Sequence, residues 1–295
     1  MTTVSHLTVT NNGKKIEIYP LLTGMIAEKE SLHHQKYPAI FNKAGFLWDR
    51  TFTEYEPVWA WLIVHPEGVF LIDTGLSARI NEPGYLSQAG LFSGWFLRSQ
   101  FHYEMAPDQQ LKHCLKSAGY EPEDISQVVL THLHFDHTGN LDLFPAGKVL
   151  INKAEWVNPY RAVEGLHPGW FQPELIIFGG REPAGDKLTD GVFLLTEAAD
   201  LMLVETPGHT YGHTSILLKT DSQYFLFAGD VTSTQDQLIG GNFTQNNADL
   251  FELRMSRWKI LDFASRHPLT YLPSHDPLAA RRLFSRSTIR VSTSR

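Results

Sequence analysis

The sequence carries a single cysteine, Cys114, in 295 residues. One thiol excludes an intrachain disulfide, and with it a small disulfide-stapled domain. It also excludes a structural zinc site built from several thiolates. Cys114 falls in 109–118, which reads as an amphipathic helix, so a small packing residue is expected there. Long apolar runs are missing too. None approaches the ~20 residues that a spanning helix needs, so no membrane partner is expected. An excess of positive charge is absent: the formal net charge is -7, which gives no electrostatic case for nucleic acid. Met1–Thr10 has no apolar core of a secretory signal, and the cytoplasm is the expected compartment. No repeat of 20–50 residues is visible.

What is present is ordinary globular material, 42% hydrophobic and 19% charged, at a length one large α/β domain can fill. The expected organisation is one domain over 1–295, ending in a frayed basic tail, 281–295, with five arginines and no acid. Strands are expected at 15–25, 58–64 and 69–73, the last two a hairpin around His65-Pro66-Glu67-Gly68. Further strands are expected at 128–131, 148–152, 191–195, 201–205, 215–219, 224–228 and 269–272. Helices are expected at 106–118, stopped by Gly119, and at 153–160 and 248–266. Segments 28–57 and 166–187 read as long connections, the first with room for a short helix, and His33 and His34 as solvated. The aromatic stretch 85–103 fits three readings equally: core, a lid over a site, or an exposed patch such as a homodimer surface.

The apolar strands repeatedly end in metal-type residues. Thr131-His132-Leu133-His134-Phe135-Asp136-His137 holds three histidines and an aspartate within six residues. An extended backbone puts His132 and His134 on one face. A turn after Phe135 brings Asp136 and His137 round to the same point. Four such groups exceed what one ion needs and suit two. Imidazole with carboxylate fits zinc or another first-row divalent ion, with iron, manganese and cobalt open. Later strands deliver His209, Asp230 and His275 in the same way. Asp73, at the end of a buried strand beside Gly75, is placed to accept a hydrogen bond from a ligand histidine and fix its tautomer.

Taken together, His132-x-His134-x-Asp136-His137, then His209, Asp230 and His275, resemble the metallo-β-lactamase superfamily over about residues 70–276. The resemblance implies an αββα sandwich of two mixed β-sheets with helices on both outer faces. It implies two metal ions, one held by His132, His134 and His209, the other by Asp136, His137 and His275, with Asp230 bridging. It implies hydrolysis by a metal-bound hydroxide, with Asp136 as a proton carrier and Asp230 setting the separation of the ions. His213 is left with a structural hydrogen bond. The segments 71–75, 131–139, 206–212 and 274–276 look like the N-acyl-homoserine lactonase branch, with a small lactone or ester as substrate. The aromatic runs 92–101 and 170–171 then become candidates for an acyl pocket. One departure stands out: Ser233 occupies the position where that branch often has tyrosine. A phosphotriesterase or phosphodiesterase on the same ions, and an inactive metal-bound binding protein, are the competing readings. A pocket rich in cations would favour a phosphodiester, and an apolar one a lactone or triester.

Overall fold

The computed structural model describes residues 4–33, 49–178, 186–244 and 246–290. Two sheets stack face to face. The first orders its strands β1 (Leu7–Asn11), β2 (Lys14–Glu28), β3 (Glu56–His65), β4 (Gly68–Ile72), β6 (Gln127–Val129), β7 (Val149–Asn152) and β8 (Glu174–Ile176), while β5 (Phe101–Glu104) pairs with β2. The second orders β13 (Leu269–Pro273), β12 (Tyr224–Gly229), β11 (Thr214–Lys219), β10 (Leu201–Glu205) and β9 (Phe193–Leu194). Both sheets mix parallel and antiparallel pairs.

Alternation along the strands explains the layers. Trp61, Ile63, Leu203, Ile216, Phe225 and Phe227 share one core between the sheets. Trp61 and Phe227 meet there with ring centroids 5.4 Å apart. Burying side chains of this size contributes about 2–3 kcal/mol each. The intervening residues face outward: Leu62, Leu71 and Val128 pack with Leu111 and Leu115 of the Leu111–Ala118 helix. Leu217 and Leu226 pack with Leu253, Ile260 and Phe263 of the Leu250–Arg266 helix. Strands buried on both faces read as continuous apolar runs. The expected sandwich with helices outside is therefore the observed one.

Several local expectations are corrected. A strand, β1, precedes the expected first one, and β8 lies inside the 166–187 connection. The helix at 153 ends at Val157. The stretch 85–103 is a helix, Leu91–Gln100, flanked by a 3-10 turn and by β5. Two helices were unforeseen, Gln235–Gly240 and Ala279–Ser285. The second overturns the frayed tail as far as residue 290, because Leu283 and Ile289 are buried and Ile289 N–H donates to Leu269 O at 2.8 Å. Leu283 packs into the core between the sheets and Ile289 against the outer face of the second sheet. The expected loop at 28–57 holds a short helix, Glu30–His33, and 34–48 lies outside the described residues, as do the side chain of His33 and all of His34. Cys114 is buried, and burial pushes its thiol up to about 12, which suits packing and not reactivity. Among the described residues no helix is long and apolar enough to cross a membrane.

Candidate metal centre

Strand direction gathers the site at one edge. β4 and β6 run parallel, so Asp73 and the 131–137 segment leave the first sheet together. β12 and β13 also run parallel, so Asp230 and His275 leave the second sheet side by side. β10 delivers His209 at the same end, since β11 is antiparallel to both β10 and β12. The Phe135–Thr138 turn of helix, closed by His137 N–H on His134 O at 3.0 Å, folds Asp136 and His137 back toward His132 and His134.

The seven sequence-predicted groups converge. His132, His134, His209 and Asp230 offer ligand atoms within 4.8 Å of one another, and so do Asp136, His137 and His275. Asp230 touches both groups. Its Oδ2 lies 3.5 Å from His209 Nε2 and 3.8 Å from His132 Nε2 in one group; in the other, Oδ2 lies 3.2 Å from His275 Nε2 and Oδ1 lies 3.3 Å from His137 Nε2. Asp136 Oδ2 sits 3.4 Å from His275 Nε2 and 3.7 Å from His137 Nε2.

The outward nitrogens decide what the inward ones can do. Thr131 Oγ1 donates to Asp73 Oδ2 at 2.9 Å, so it must accept from His132 Nδ1–H, also at 2.9 Å. His137 Nδ1–H donates to Asp73 Oδ2 at 2.8 Å. His275 Nδ1–H donates to Pro57 O at 3.0 Å, and His134 Nε2–H to Tyr160 O at 3.0 Å. His209 Nδ1–H reaches Asn247 Oδ1 at 3.2 Å. Each ring thus spends its proton outward and aims a lone pair inward. His134 Nδ1 and His209 Nε2 face each other at 3.1 Å. His132 Nε2, His137 Nε2 and Asp230 Oδ1 are buried without a hydrogen-bond partner. Lone pairs crowded together and buried orphans are costly unless a cation sits among them. The donor set therefore fits divalent ions.

Charge follows the same logic. Burial pushes His132 and His209 down, and His134 down to about 3, so these imidazoles stay neutral, as ligands must. Burial alone would lower His137 and His275 as well. The surrounding carboxylates, Asp230 first, overturn that and raise both well above the usual histidine range. Burial would raise Asp230, yet His275 and His137 hold it well below the carboxylate range. A bound cation takes the place of those protons.

Asp73 does what its position suggested. Besides His137 and the Thr131 hydroxyl, its Oδ1 accepts Thr131 N–H at 2.8 Å. Its φ of 58 is one of five non-glycine positive values among the described residues. His213 takes the expected structural role: its Nε2 accepts Asp230 N–H at 3.0 Å, and its Nδ1 meets Thr206 Oγ1 at 2.9 Å. Gly229 makes room for it, with φ 53 and a Cβ that would fall 2.6 Å from His213 Nε2.

A cavity of about 510 Å³ opens beside the cluster. His134, Asp136, His209 and Asp230 form one end, and Phe92, Phe96, Leu97, Phe101 and Val163 line the rest. The aromatic helix is thus a pocket wall on one side. Its other side is exposed, with Leu91 and Trp95 87% and 53% accessible. Trp170 and Phe171 do not join it. Phe171 packs on Trp156 and lines a separate hollow, which corrects their expected place in the acyl pocket. Ser233 lines a small polar recess on the far side of Asp230 with Gln237, Thr244 and Asn247.

Some contributors were not foreseen. Glu155 is fully buried and accepts Leu133 N–H and Gly212 N–H, both at 3.1 Å, tying the two histidine-bearing loops together. Its only signal was an acid three residues past an apolar strand. The Tyr160 carbonyl and Asn247, which orient His134 and His209, left no signal, because sequence spacing does not reveal which distant loops meet.

Two facing sheets with five imidazoles and two carboxylates converging at one edge define a metal-centred α/β sandwich. The chain belongs to the metallo-β-lactamase superfamily, whose family model matches residues 54–275. An N-acyl homoserine lactonase from Bacillus sp is 34% identical over 193 residues, 65% of this chain and 66% of that relative. The match thus spans just under two thirds of the relative's length. Among solved structures, an N-acyl homoserine lactone hydrolase with the product N-hexanoyl-L-homoserine bound at its catalytic metal center superposes with a TM-score of 0.69 at 20% identity, covering 97% of this chain and 98% of that one. AidC, described as a dizinc quorum-quenching lactonase, gives 0.61 at 19% identity, covering 93% and 91%. At those identities the structural likeness is one of fold.

Proposed function

We propose that this chain is a two-metal hydrolase that opens the ring of N-acyl homoserine lactones. The observation that carries the reading is the cavity beside the metal-type cluster, whose walls are mostly apolar and aromatic. Among the described residues Arg161 is the one Lys or Arg in its lining. Walls of this kind accommodate a neutral lactone with an acyl chain better than a phosphodiester, whose charge they would strip of water. The names of the curated relatives support the same substrate class.

In this reading His132, His134 and His209 hold one ion, Asp136, His137 and His275 the other, and Asp230 reaches both. Zinc is the proposed metal, from the imidazole-rich donor set and the dizinc fold relative. Two such ions supply Lewis acidity, bringing water's pKa toward neutrality and stabilising charge on oxygen. Ring opening adds a water oxygen to the lactone carbonyl carbon, breaks the ring C–O bond and leaves an alkoxide that needs one proton. Asp136 is the proposed carrier of that proton. Burial would raise its carboxyl, but His137 and His275 hold it below the usual range, so it starts ionised and able to accept. The apolar wall orients the acyl chain and excludes water from it.

The test is turnover of zinc-loaded protein on N-hexanoyl homoserine lactone, an aliphatic lactone, an aryl ester and a phosphotriester, with Asp230→Asn beside it. Lactone opening abolished by Asp230→Asn and by chelator is the expected result. Turnover of the phosphotriester alone would move the substrate class, and no turnover at all would leave a binding protein.

A further inference from the structure

Among the described residues Arg161 is the one Lys or Arg lining the cavity, and its backbone is unusual. Its φ is 57, in the left-handed region that side-chain-bearing residues seldom adopt. Such strain persists only where the surroundings over-determine it, and it gathers at functional sites. Here the surroundings are identifiable. The preceding residue, Tyr160, spends its carbonyl on His134 Nε2. The left-handed turn at the next position then carries the Arg161 side chain over the Tyr160 ring, 5.1 Å from guanidinium carbon to centroid, and on to Asn246.

Arg161 Nη1–H donates to Asn246 Oδ1. Asn246 lines the same cavity, and its neighbour Asn247 orients His209. The Arg161–Asn246 contact thus joins, at an exposed part of the cavity lining, the segments that orient His134 and His209. Among the described residues the guanidinium donates to Asn246 alone and pairs with no carboxylate. An arginine has five N–H donors in a planar fork, so most of this fork is unspent at the cavity wall. Ala162 and Val163, the next two residues, continue that wall toward Phe92 and Phe96.

We propose that Arg161 is the specificity-determining residue for the acyl side of the substrate. Its guanidinium receives the amide carbonyl oxygen of an N-acyl lactone, and the chain beyond runs along Phe92, Phe96 and Leu97. Asn246 keeps the fork in place, and the strained turn aims it. The inference rests on the lactonase reading and adds to it a preference for lactones carrying a carbonyl acceptor next to the ring over plain alkyl lactones. A site built to hydrogen-bond a substrate group discriminates strongly against the analogue lacking it.

The experiment compares wild type, Arg161→Ala and Arg161→Lys, all zinc-loaded, on N-hexanoyl homoserine lactone and on a γ-alkyl lactone of matched chain length. Bound zinc is measured in each preparation. The ratio of kcat/KM for the N-acyl over the alkyl lactone is expected to fall at least tenfold in Arg161→Ala, mainly through KM, at unchanged zinc content. Arg161→Lys, which keeps the charge but not the fork, is expected to fall between. An unchanged ratio, whether both activities drop together or neither does, overturns the proposal. So does zinc loss in Arg161→Ala, which would assign the residue to the scaffold of the centre. Wild type opening neither lactone removes the parent reading, and this one with it.

Discussion

Asp73 Oδ2 accepts a hydrogen bond from His137 Nδ1 at 2.8 Å, although the two residues stand 64 apart in the chain. The same carboxylate takes the Thr131 hydroxyl, which in turn takes His132 Nδ1–H. One residue therefore fixes the tautomers of two imidazoles, one in each group of metal-type residues. Replacing Asp73 with Asn puts an amide where both protons were received. Changes to such supporting residues cost about 10–100-fold in metal affinity or activity. Metal content and kcat/KM of Asp73→Asn should fall together. Normal zinc with lost activity would mean that Asp73 does not act through ligand orientation.

Glu155 binds the loop of His132 and His134 to the loop of His209 from a fully buried position. Glu155→Ala leaves two buried N–H groups unpaired, at about 1–3 kcal/mol each. A lowered denaturation midpoint together with weaker zinc binding is expected, and Glu155→Gln should recover part of both. Unfolding curves followed with and without zinc provide the check.

Gly212 packs against the Glu155 backbone so closely that a Cβ would lie 1.9 Å from Glu155 N. Backbone cannot yield as a flexible side chain can. Gly212→Ala should cost a few kcal/mol, on the order of the larger overpacking penalties. The thermal midpoint of the variant measures it, and an unchanged midpoint would contradict the close approach.

Phe96 lines the cavity wall beyond the metal-type groups. If the acyl chain lies there, Phe96→Ala should penalise long chains more than short ones. Each buried methylene is worth about 0.8 kcal/mol, so kcat/KM for a decanoyl substrate should drop roughly tenfold relative to a butanoyl one. Equal losses on both would place the chain elsewhere.

Far from the site, Asp200 joins the two sheets. It accepts hydrogen bonds from Asn11 at 2.8 Å and Thr196 at 2.8 Å, and sits 3.2 Å from His65 Nε2. Burial would raise its carboxyl, but those contacts hold it below the usual range. A depressed folded value contributes stability that is present above the unfolded value of about 3.9 and is lost as pH falls through the folded one. Asp200→Asn should therefore be less stable than wild type near neutrality, with the gap closing in acid. Thermal midpoints from pH 7 to pH 3 for both proteins test this, and a gap independent of pH would refute the linkage.

Read as a chain alone, the protein already shows two sheets with helices outside and the metal-type residues of the cluster. Strands buried on both faces announce themselves as apolar runs, and metal-type groups placed at their ends are a local signal that needs no partner to be read. His132, His134, Asp136 and His137 sit within one turn of chain, and His209, Asp230 and His275 each close a strand. Strand direction alone then required them to meet. The tertiary structure decided what surrounds them. Glu155, Tyr160, Arg161 and Asn247 act through segments brought together from 22 residues apart, as between Leu133 and Glu155, to 85, as between Arg161 and Asn246. No periodicity encodes which loops touch. The aromatic helix at 91–100 was ambiguous for a related reason: apolar side chains favour leaving water but not any particular neighbour, and only packing assigned Phe96 and Leu97 to the cavity. The basic tail reads as frayed because its charge is local, whereas the surfaces that receive Leu283 and Ile289 are formed by distant strands.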